Sequence, residues 1–309
     1  MSAAATAAAV VVGVAGLALA PLLPGATQAA KAHLQGRRGP GALQPYRELA
    51  RLWRRGAVDP AGAGPVFRAA PVVVAAAIAL ALLMTPVGAS GAAWPGGGDA
   101  LALVGLLATA RVALALSAWD VGAGFGLMGA ARDLMFAILG EALLLLVVLL
   151  AAAPAGGTGL GDMWAAASGT SVWGEPAHWC GAVAMAVVLL LETGRQPIDN
   201  PDTHLELTMV HEGPLLEYAG RDLGLLVWAS AARHWVALVL AAGLFLPHPG
   251  TPWAGLLVVG AWVAALTGAL AVVESTQAKM RLLRVPAATL AAIAVALVGV
   301  VALAAGTQL

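Results

Sequence analysis

The sequence is poor in charge and in aromatic residues. Only 10% of its 309 residues are Asp, Glu, Lys or Arg, whereas about a quarter are charged in soluble domains. Hydrophobic residues make up 61%, and the mean hydropathy is +0.88, which argues against an ordinary water-soluble fold. Aromatics reach 5%, while Ala, Leu, Val and Gly dominate, as is typical of membrane helices that pack through small residues.

Cysteine is nearly absent, and the net charge is zero. Because Cys180 is the one cysteine, a disulfide framework and an all-cysteine iron–sulfur or zinc site are excluded within this chain. We therefore expect no metal and no cofactor in this chain, so that any redox centre belongs to another subunit. The zero net charge gives no indication of a nucleic-acid partner.

Long apolar runs recur and predict an all-α, polytopic membrane protein, with residues 1–309 forming a single transmembrane domain in the lipid bilayer. A span needs about 20 mostly apolar residues. The first run has no basic residue before Lys31, so we expect a retained helix and not a cleaved signal peptide. The eight predicted spans lie at roughly 2–23, 67–88, 99–118, 133–153, 178–194, 222–246, 253–273 and 287–305.

Lysine and arginine are confined to alternate connections between the spans. Of 16 such residues, 14 lie in or beside these connections, and the other two, Arg111 and Arg233, fall inside spans. Because basic connections stay in the cytoplasm, both termini are predicted to lie outside. The connections without Lys or Arg are 89–98, 154–177 and 247–252.

The basic cytoplasmic connection, residues 24–66, contains a stretch of helical periodicity from Leu43 to Trp53. Its apolar residues alternate with arginines and recur at helical spacing: Leu43, Tyr46, Leu49, Leu52 and Trp53. The pattern predicts an amphipathic helix on the inner membrane surface between helices 1 and 2. A solvated basic loop is the alternative.

Ionisable residues also occur inside the predicted spans, where each costs a few kcal/mol on insertion scales. Such residues are functional candidates, and they are Arg111, Glu141, Glu192, Arg233 and His234. They either pair and fix the packing of the helices, or form a stepped polar path for ions. His234 is equally compatible with a hydrogen-bonded core histidine.

The cytoplasmic connection 192–222 is acidic and is broken by prolines. Its candidate proton-exchanging residues are Glu192, Asp199, Asp202, Glu206, Glu212 and Glu217. Crowded, partly desolvated carboxylates raise one another's pKa and become exchangeable proton sites. We expect a proton-handling loop that docks a partner, with a short helix starting near His204. A solvated acidic face is one alternative, and a metal site from His204, His211 and the carboxylates, which lacks compact ligand spacing, is another.

Four stretches resemble a known family. They are ETGRQPIDNPDTHLELTMVHEGPLLEYAG at 192–220, QGRRGPGALQPYRELARLW at 35–53, SAWDVGAGFGLMGAARDLMFAILGE at 117–141 and ESTQAKMRLLRVP at 274–286. Together they resemble the membrane-anchor subunits of formate hydrogenlyase and hydrogenase-4, within the wider family of subunit 1 of complex I, the NADH–quinone oxidoreductase.

The complex I branch has the pattern E-x-x-R-x-P-F-D followed by glutamates, and the matching residues here are Glu192, Arg195, Pro197, Asp199 and Glu206. Ile198 replaces Phe, and His204 replaces a carboxylate. With the inserted His-Glu-Gly-Pro at 211–214, these departures are similar to the hydrogenase branch and argue against a quinone chamber. Glu141 matches the fourth-helix acid of the family, with Arg132 at the same nine-residue spacing.

The resemblance implies the membrane subunit of an energy-conserving, complex I-like [NiFe]-hydrogenase, in the plasma (inner) membrane of a prokaryote. It implies that the hydrogenase large and small subunits and an iron–sulfur subunit dock on the cytoplasmic face and carry the nickel–iron centre and the iron–sulfur clusters. Antiporter-like membrane subunits are the other expected partners.

In this scheme, electron transfer moves protons (or sodium) along Glu192, Glu141 and their neighbours. Arg195 sets the pKa of nearby acids, and Arg111, Arg132 and Arg233 are counter-charges. Two other functions remain open: the quinone-site subunit of an NADH–quinone oxidoreductase, and a stand-alone secondary transporter. The transporter hypothesis predicts internal repeats, with interrupted spans at corresponding positions of the two halves, and the sequence does not display them.

Overall fold

The computed structural model describes residues 12–86, 98–199 and 210–306, and in these ranges the regular elements are helices. Of the described helices, seven are long and apolar enough to cross a membrane, and the bent pair α1–α2 gives an eighth. This confirms an all-α, polytopic membrane protein with about eight spans. The helices are α1 Val12–Leu19, α2 Leu22–Leu34, α3 Gln44–Trp53, α4 Pro65–Met84, α5 Ala100–Val121, α6 Gly124–Ala152, α7 Leu160–Ala167, α8 Pro176–Thr193, α9 Gly220–Phe245, α10 Pro252–Thr276 and α11 Val285–Gly306.

The first predicted span is bent. The axis turns by 47° between α1 and α2, and the helical course continues past residue 23 to Leu34. Pro21 precedes α2, and Pro24 lies in its first turn; because proline lacks an N–H and its ring clashes with the preceding turn, it bends a helix. Lys31 consequently lies in α2 and is buried, although it was predicted in the basic connection. Residues 2–11 of the prediction lie outside the described residues.

Helix α6 begins at Gly124, earlier than the fourth predicted span. The preceding helix α5 ends at Gly122, which has a φ of 74° and donates its N–H to Ala118 O. Only glycine adopts this left-handed conformation without strain, and it allows the chain to reverse within two residues. Arg132 therefore lies within α6 and not in a connection, and Asp133 lies inside the helix and not at its start.

Helix α9 occupies the middle of the bundle and packs against α2, α3, α4, α8 and α10. Helix α3 occupies the position of the predicted amphipathic helix. Its Leu49 and Leu52 are buried, and Leu52 lies over Gly224 of α9, while Arg47 and Arg51 remain exposed. Part of the apolar side of α3 is thus covered by the bundle, where α9 has a glycine at the point of contact, whereas Trp53 remains 57% exposed.

The connections that carry most of the basic residues meet at one end of the bundle, which we call the basic end. Met280 N–H donates to Pro197 O at 2.8 Å, and Tyr218 Oη donates to Phe67 O at 3.0 Å. At the opposite end, α7 and a 3-10 turn at Ser171–Gly174 occupy the connection 154–177, where the sequence predicted no helix. The basic end comprises the described parts of 35–64, 122–123, 194–219 and 277–284.

Close packing at the basic end depends on Gly129 of α6. A β-carbon on Gly129 would lie 2.6 Å from the Cα of Gly213, and a backbone atom cannot rotate away. We expect Gly129→Ala to lower the free energy of unfolding by about 1–3 kcal/mol. Gly105→Ala in α5, where nothing lies within 4 Å, is the control and should be neutral or slightly stabilising. Thermal unfolding in detergent measures both, and equal midpoints would contradict the prediction.

Candidate functional site

Arg111 of α5 lies at the centre of a group of carboxylates inside the bundle, here called the Arg111 cluster. Its Nη2 donates to Glu192 Oε1 at 2.9 Å, and its Nη1 donates to Glu141 Oε1 at 3.3 Å. Its Nε lies 3.7 Å from Asp133 Oδ2, and the residue is 4% exposed. Because a buried charge is costly unless it is paired, each of these groups depends on the others.

The cluster extends from a buried acid to a partly open one. Glu192 lies in the last turn of α8 and is shared between two arginines, since its Oε2 lies 4.0 Å from Arg233 Nε. Glu141 of α6 differs, because 29% of its side chain is exposed. The sequence left open whether these charges pair, and the structure brings them into contact. Their role as a stepped path for ions stays a prediction.

Asp199, in the segment after α8, contacts two basic side chains. Lys279 Nζ lies 2.8 Å from its Oδ1, and His211 Nδ1 lies 3.6 Å from its Oδ2. The N–H groups of Val210 and His211 also approach Oδ2, at 3.2 and 3.4 Å. Although burial alone raises the pKa of Asp199, the hydrogen bonds and charges of His211 and Lys279 hold that pKa well below its usual range.

His211 joins this segment to the Arg111 cluster. Its second nitrogen, Nε2, lies 3.7 Å from Asp133 Oδ1. Charged side chains therefore follow one another from Lys279 at the basic end to Arg111 inside the bundle. Asp133 was missed by the sequence analysis, because as the first residue of the fourth predicted span it was not counted among the charges inside the spans.

A second cluster, the Glu274 cluster, was also missed. Glu274 Oε1 accepts from Arg195 Nη1 at 3.0 Å, and its Oε2 lies 3.3 Å from Lys31 Nζ. All three residues are buried, so the cluster ties α2, the segment after α8 and α10 together. An acid directly after the predicted span 253–273 is the signal that could have identified it. The structure pairs Arg195 with Glu274, whereas the sequence analysis assigned it to acids of its own connection.

Comparison with known proteins decides the family. The family model described as NADH dehydrogenase matches residues 6–304. The chain belongs to the NADH dehydrogenase family. It is 35% identical over 281 residues to formate hydrogenlyase subunit 4 of Escherichia coli (strain K12), covering 86% of this chain and 88% of that protein. It is also 35% identical over 234 residues to hydrogenase-4 component C of the same organism, covering 75% of this chain and 72% of that protein.

A solved structure gives the same fold. A chain of the membrane-bound sulfane sulfur reductase, an archaeal respiratory membrane complex, superimposes with a TM-score of 0.83 and 19% sequence identity. The superposition covers 96% of this chain and 98% of that one. The superposition shows the fold, while the family model and the two relatives at 35% identity confirm the resemblance stated from the sequence motifs.

In this member of the NADH dehydrogenase family, a cavity of about 700 Å³ opens beside the Arg111 cluster. Its wall combines the charged Arg111, Glu192 and Arg233 with apolar side chains such as Val74 and Leu226. A mostly apolar wall with a few converging polar groups is typical of a site for a small amphipathic molecule. The cavity is present although the departures at 198 and 204 argued against a quinone chamber.

The remaining predicted residues are distributed around this cavity or lie outside the described residues. His234 is buried on the wall, and its Nε2 has no hydrogen-bond partner among the described residues. Glu212 also lines the cavity, whereas Glu217 lies beside Gly126 of α6. Arg132 is partly exposed. Asp202, His204 and Glu206, with the short helix expected there, lie outside the described residues.

Tyr218 is a further residue that the sequence analysis did not select. Its ring stacks on Phe67 with the centroids 4.1 Å apart, and its hydroxyl donates to the Phe67 carbonyl. Burial raises the pKa of Tyr218 to about 12, so the hydroxyl remains a donor at neutral pH. It fixes the segment before α9 against the start of α4. Across the described residues, no group of three or more His, Cys, Asp or Glu is arranged to hold a metal ion.

Proposed function

We propose that this chain is the membrane subunit of an energy-conserving, complex I-like [NiFe]-hydrogenase. The observation that carries the proposal is the Arg111 cluster, which links the buried Glu192 to the partly open Glu141. The relatives named formate hydrogenlyase subunit 4 and hydrogenase-4 component C supply the class of complex. The cluster supplies a chemistry that a membrane subunit can perform without a redox centre of its own.

The chain anchors a soluble redox arm at the basic end, on the cytoplasmic side of the plasma membrane of a prokaryote, with both termini outside. The hydrogenase large and small subunits and an iron–sulfur subunit form this arm and hold the nickel–iron centre and the clusters. The orientation is supported by the 14 basic residues that lie in or beside the connections of that end.

Coupling proceeds through competition of the acids for Arg111. Because the guanidinium contacts both Glu192 and Glu141, a proton bound by one acid releases Arg111 to pair more closely with the other. Electron transfer in the arm shifts the charge near Asp199 and Glu192 and starts this exchange. The partly exposed Glu141 passes the proton (or exchanges a sodium ion) to an antiporter-like membrane subunit beside α6.

Purification of the affinity-tagged chain from its native membranes tests the class. We expect the hydrogenase large and small subunits and an iron–sulfur subunit to copurify in equal amounts, with hydrogen-forming activity. An untagged strain is the control for adventitious binding. Recovery with subunits that oxidise NADH, or recovery of the chain alone with substrate-dependent transport, would contradict the proposal and support one of the other two functions.

A second candidate, a quinone-binding role, is favoured by the cavity of about 700 Å³ and its largely apolar wall. Quinone analysis of the same purified preparation tests this second candidate. If the cavity holds a quinone, an organic extract would contain about one quinone per complex. An extract without quinone would contradict this second candidate and leave the hydrogenase assignment unaffected.

A further inference from the structure

The geometry points to His211 as a proton-transferring residue that connects Asp199, at the basic end, with Asp133 in the Arg111 cluster. The inference rests on the proposed coupling function and assigns the step by which a proton reaches the buried acids. It depends on two residues, His211 and Asp133, that face each other across the packing of the segment 210–215 against α6.

Each ring nitrogen of His211 faces a carboxylate. Nδ1 lies 3.6 Å from Asp199 Oδ2, and Nε2 lies 3.7 Å from Asp133 Oδ1. A neutral imidazole has one N–H and would leave a lone pair facing the other carboxylate, whereas an imidazolium donates to both. These distances exceed those of direct hydrogen bonds, so transfer requires a small approach or one bridging water.

The surrounding backbone is shaped to hold the imidazole at this place. Gly194 ends α8 with a φ of +59°, and a β-carbon there would lie 3.0 Å from His211 Nδ1. Glycine therefore both permits the turn and leaves room for the ring. The N–H groups of Val210 and His211 approach Asp199 Oδ2 from the other side.

His211 is more exposed than the two carboxylates that it faces. Its side chain is 26% exposed, against 6% for Asp199 and 9% for Asp133, and all three residues line the cavity. The ring therefore lies where a proton can pass between the cavity and the two more deeply buried acids.

The two carboxylates that face His211 each have a second, cationic partner. Asp199 also contacts Lys279, and Asp133 also contacts Arg111, so a permanent cation stabilises each carboxylate on its far side. Histidine is the side-chain type whose charge ordinarily changes between about pH 5 and 8. The charged groups that face or surround the ring are Asp133 on α6, Glu192 on α8, Asp199 after α8, Arg111 on α5, Arg233 on α9 and Lys279 after α10.

The step is a balanced proton transfer. Asp199 takes up a proton from water and passes it to the buried Nδ1, which forms the imidazolium, and the proton on Nε2 then passes to Asp133. The product is the neutral ring with its hydrogen on Nδ1 and a protonated Asp133. Return of the hydrogen to Nε2, by exchange with water or by ring rotation, completes one turn. Each transfer breaks one bond to hydrogen and forms another, and no oxidant or reductant is required.

Reconstitution of the complete complex into vesicles tests this role through the charge translocated per hydrogen formed, read from a membrane-potential dye. We expect His211→Gln and Asp133→Asn to lower this ratio at least fivefold, because glutamine keeps the volume but cannot carry the proton. His33→Gln is the matched control, since His33 is an exposed histidine at the end of α2. An unchanged ratio in His211→Gln would overturn the inference.

Chemical rescue separates proton transfer from a structural role. Imidazole added to the His211→Ala complex should restore at least part of the ratio, because the site opens into the cavity. The analogue 1-methylimidazole is of similar size and basicity but has one nitrogen blocked, so it should not restore it. Equal effects of both compounds would overturn the role of His211 as a proton carrier.

The proposed function and the inference fail in different ways. If Glu192→Gln abolishes the charge translocated while His211→Gln retains it, the coupling function stands and protons bypass His211. If the unsubstituted complex translocates no charge while forming hydrogen, the coupling function is wrong, and the inference falls with it.

Discussion

The Arg111→Met variant is expected to lose ion translocation and about 3–5 kcal/mol of stability, the usual cost of breaking a buried ion pair. Methionine keeps an unbranched stem but lacks the guanidinium, so it leaves Glu192, Glu141 and Asp133 facing one another without their shared counter-charge. Arg233, 4.0 Å from Glu192, is too distant to replace it. The yield of assembled complex, its unfolding temperature in detergent and the membrane potential measure the effect.

Two further variants test whether the cost comes from unpaired charge. In Arg111→Met/Glu192→Gln the most deeply buried acid is neutral, so we expect at least half of the lost stability to return while translocation stays absent. Arg111→Lys keeps the charge, but an ammonium cannot contact three carboxylates as the planar guanidinium does. We expect it to assemble well and to translocate poorly.

The control for Arg111→Met is Arg51→Met on α3, where an exposed arginine pairs with Glu48. Exposed pairs contribute little, so this substitution should cost well under about 1 kcal/mol. An Arg111→Met complex that is as stable as the Arg51→Met complex, and that still translocates ions, would show that the Arg111 cluster is incidental.

The spans could be predicted because a membrane leaves few alternatives. Backbone groups in lipid must be hydrogen-bonded internally, so an apolar run of sufficient length forms a helix whatever it packs against. The boundaries of the helices are harder to predict, because they depend on single residues and on tertiary contacts. Pro21 turns the chain within the first apolar run, and Gly122 lets α6 start early, since residues 124–131 include no charged side chain that must reach water.

The site could be predicted in part for the same reason. Arg111, Glu141 and Glu192 stand out because a charge inside an apolar run is itself a signal. Asp133 and Glu274 carry a weaker signal, since they lie at the edges of predicted spans, where a charge ordinarily reaches water. Packing buries both acids. Asp133 is buried because α6 begins before the predicted apolar span, and Glu274 is buried because the end of α10 lies against Lys31 of α2. Sequence separations of 30 and 81 residues between Arg111 and its two glutamates give no local pattern that reveals their contact.

Glu274→Gln is expected to cost about 3–5 kcal/mol, because it leaves the buried Arg195 and Lys31 close together without their shared carboxylate. The released Arg195 lies three residues after Glu192 and would compete with Arg111 for that acid. We therefore expect two separate results: a lower unfolding temperature, and faster amide hydrogen exchange at Met280, whose N–H donates to Pro197 O in the segment that Arg195 begins.

Neutralising one of the two cations as well distinguishes charge from shape. Lys31→Met/Glu274→Gln leaves one cation in place of two, so the repulsion disappears and a large part of the lost stability should return. Glu48→Gln is the matched control, since it makes the same substitution in an exposed pair with Arg51 and should leave exchange at Met280 unchanged. If Glu274→Gln behaves like Glu48→Gln in both measurements, the Glu274 cluster does not hold the basic end together. The segment 195–199 would then be positioned by the contacts of Asp199 with Lys279 and the segment at Val210, and by the backbone contact at Met280.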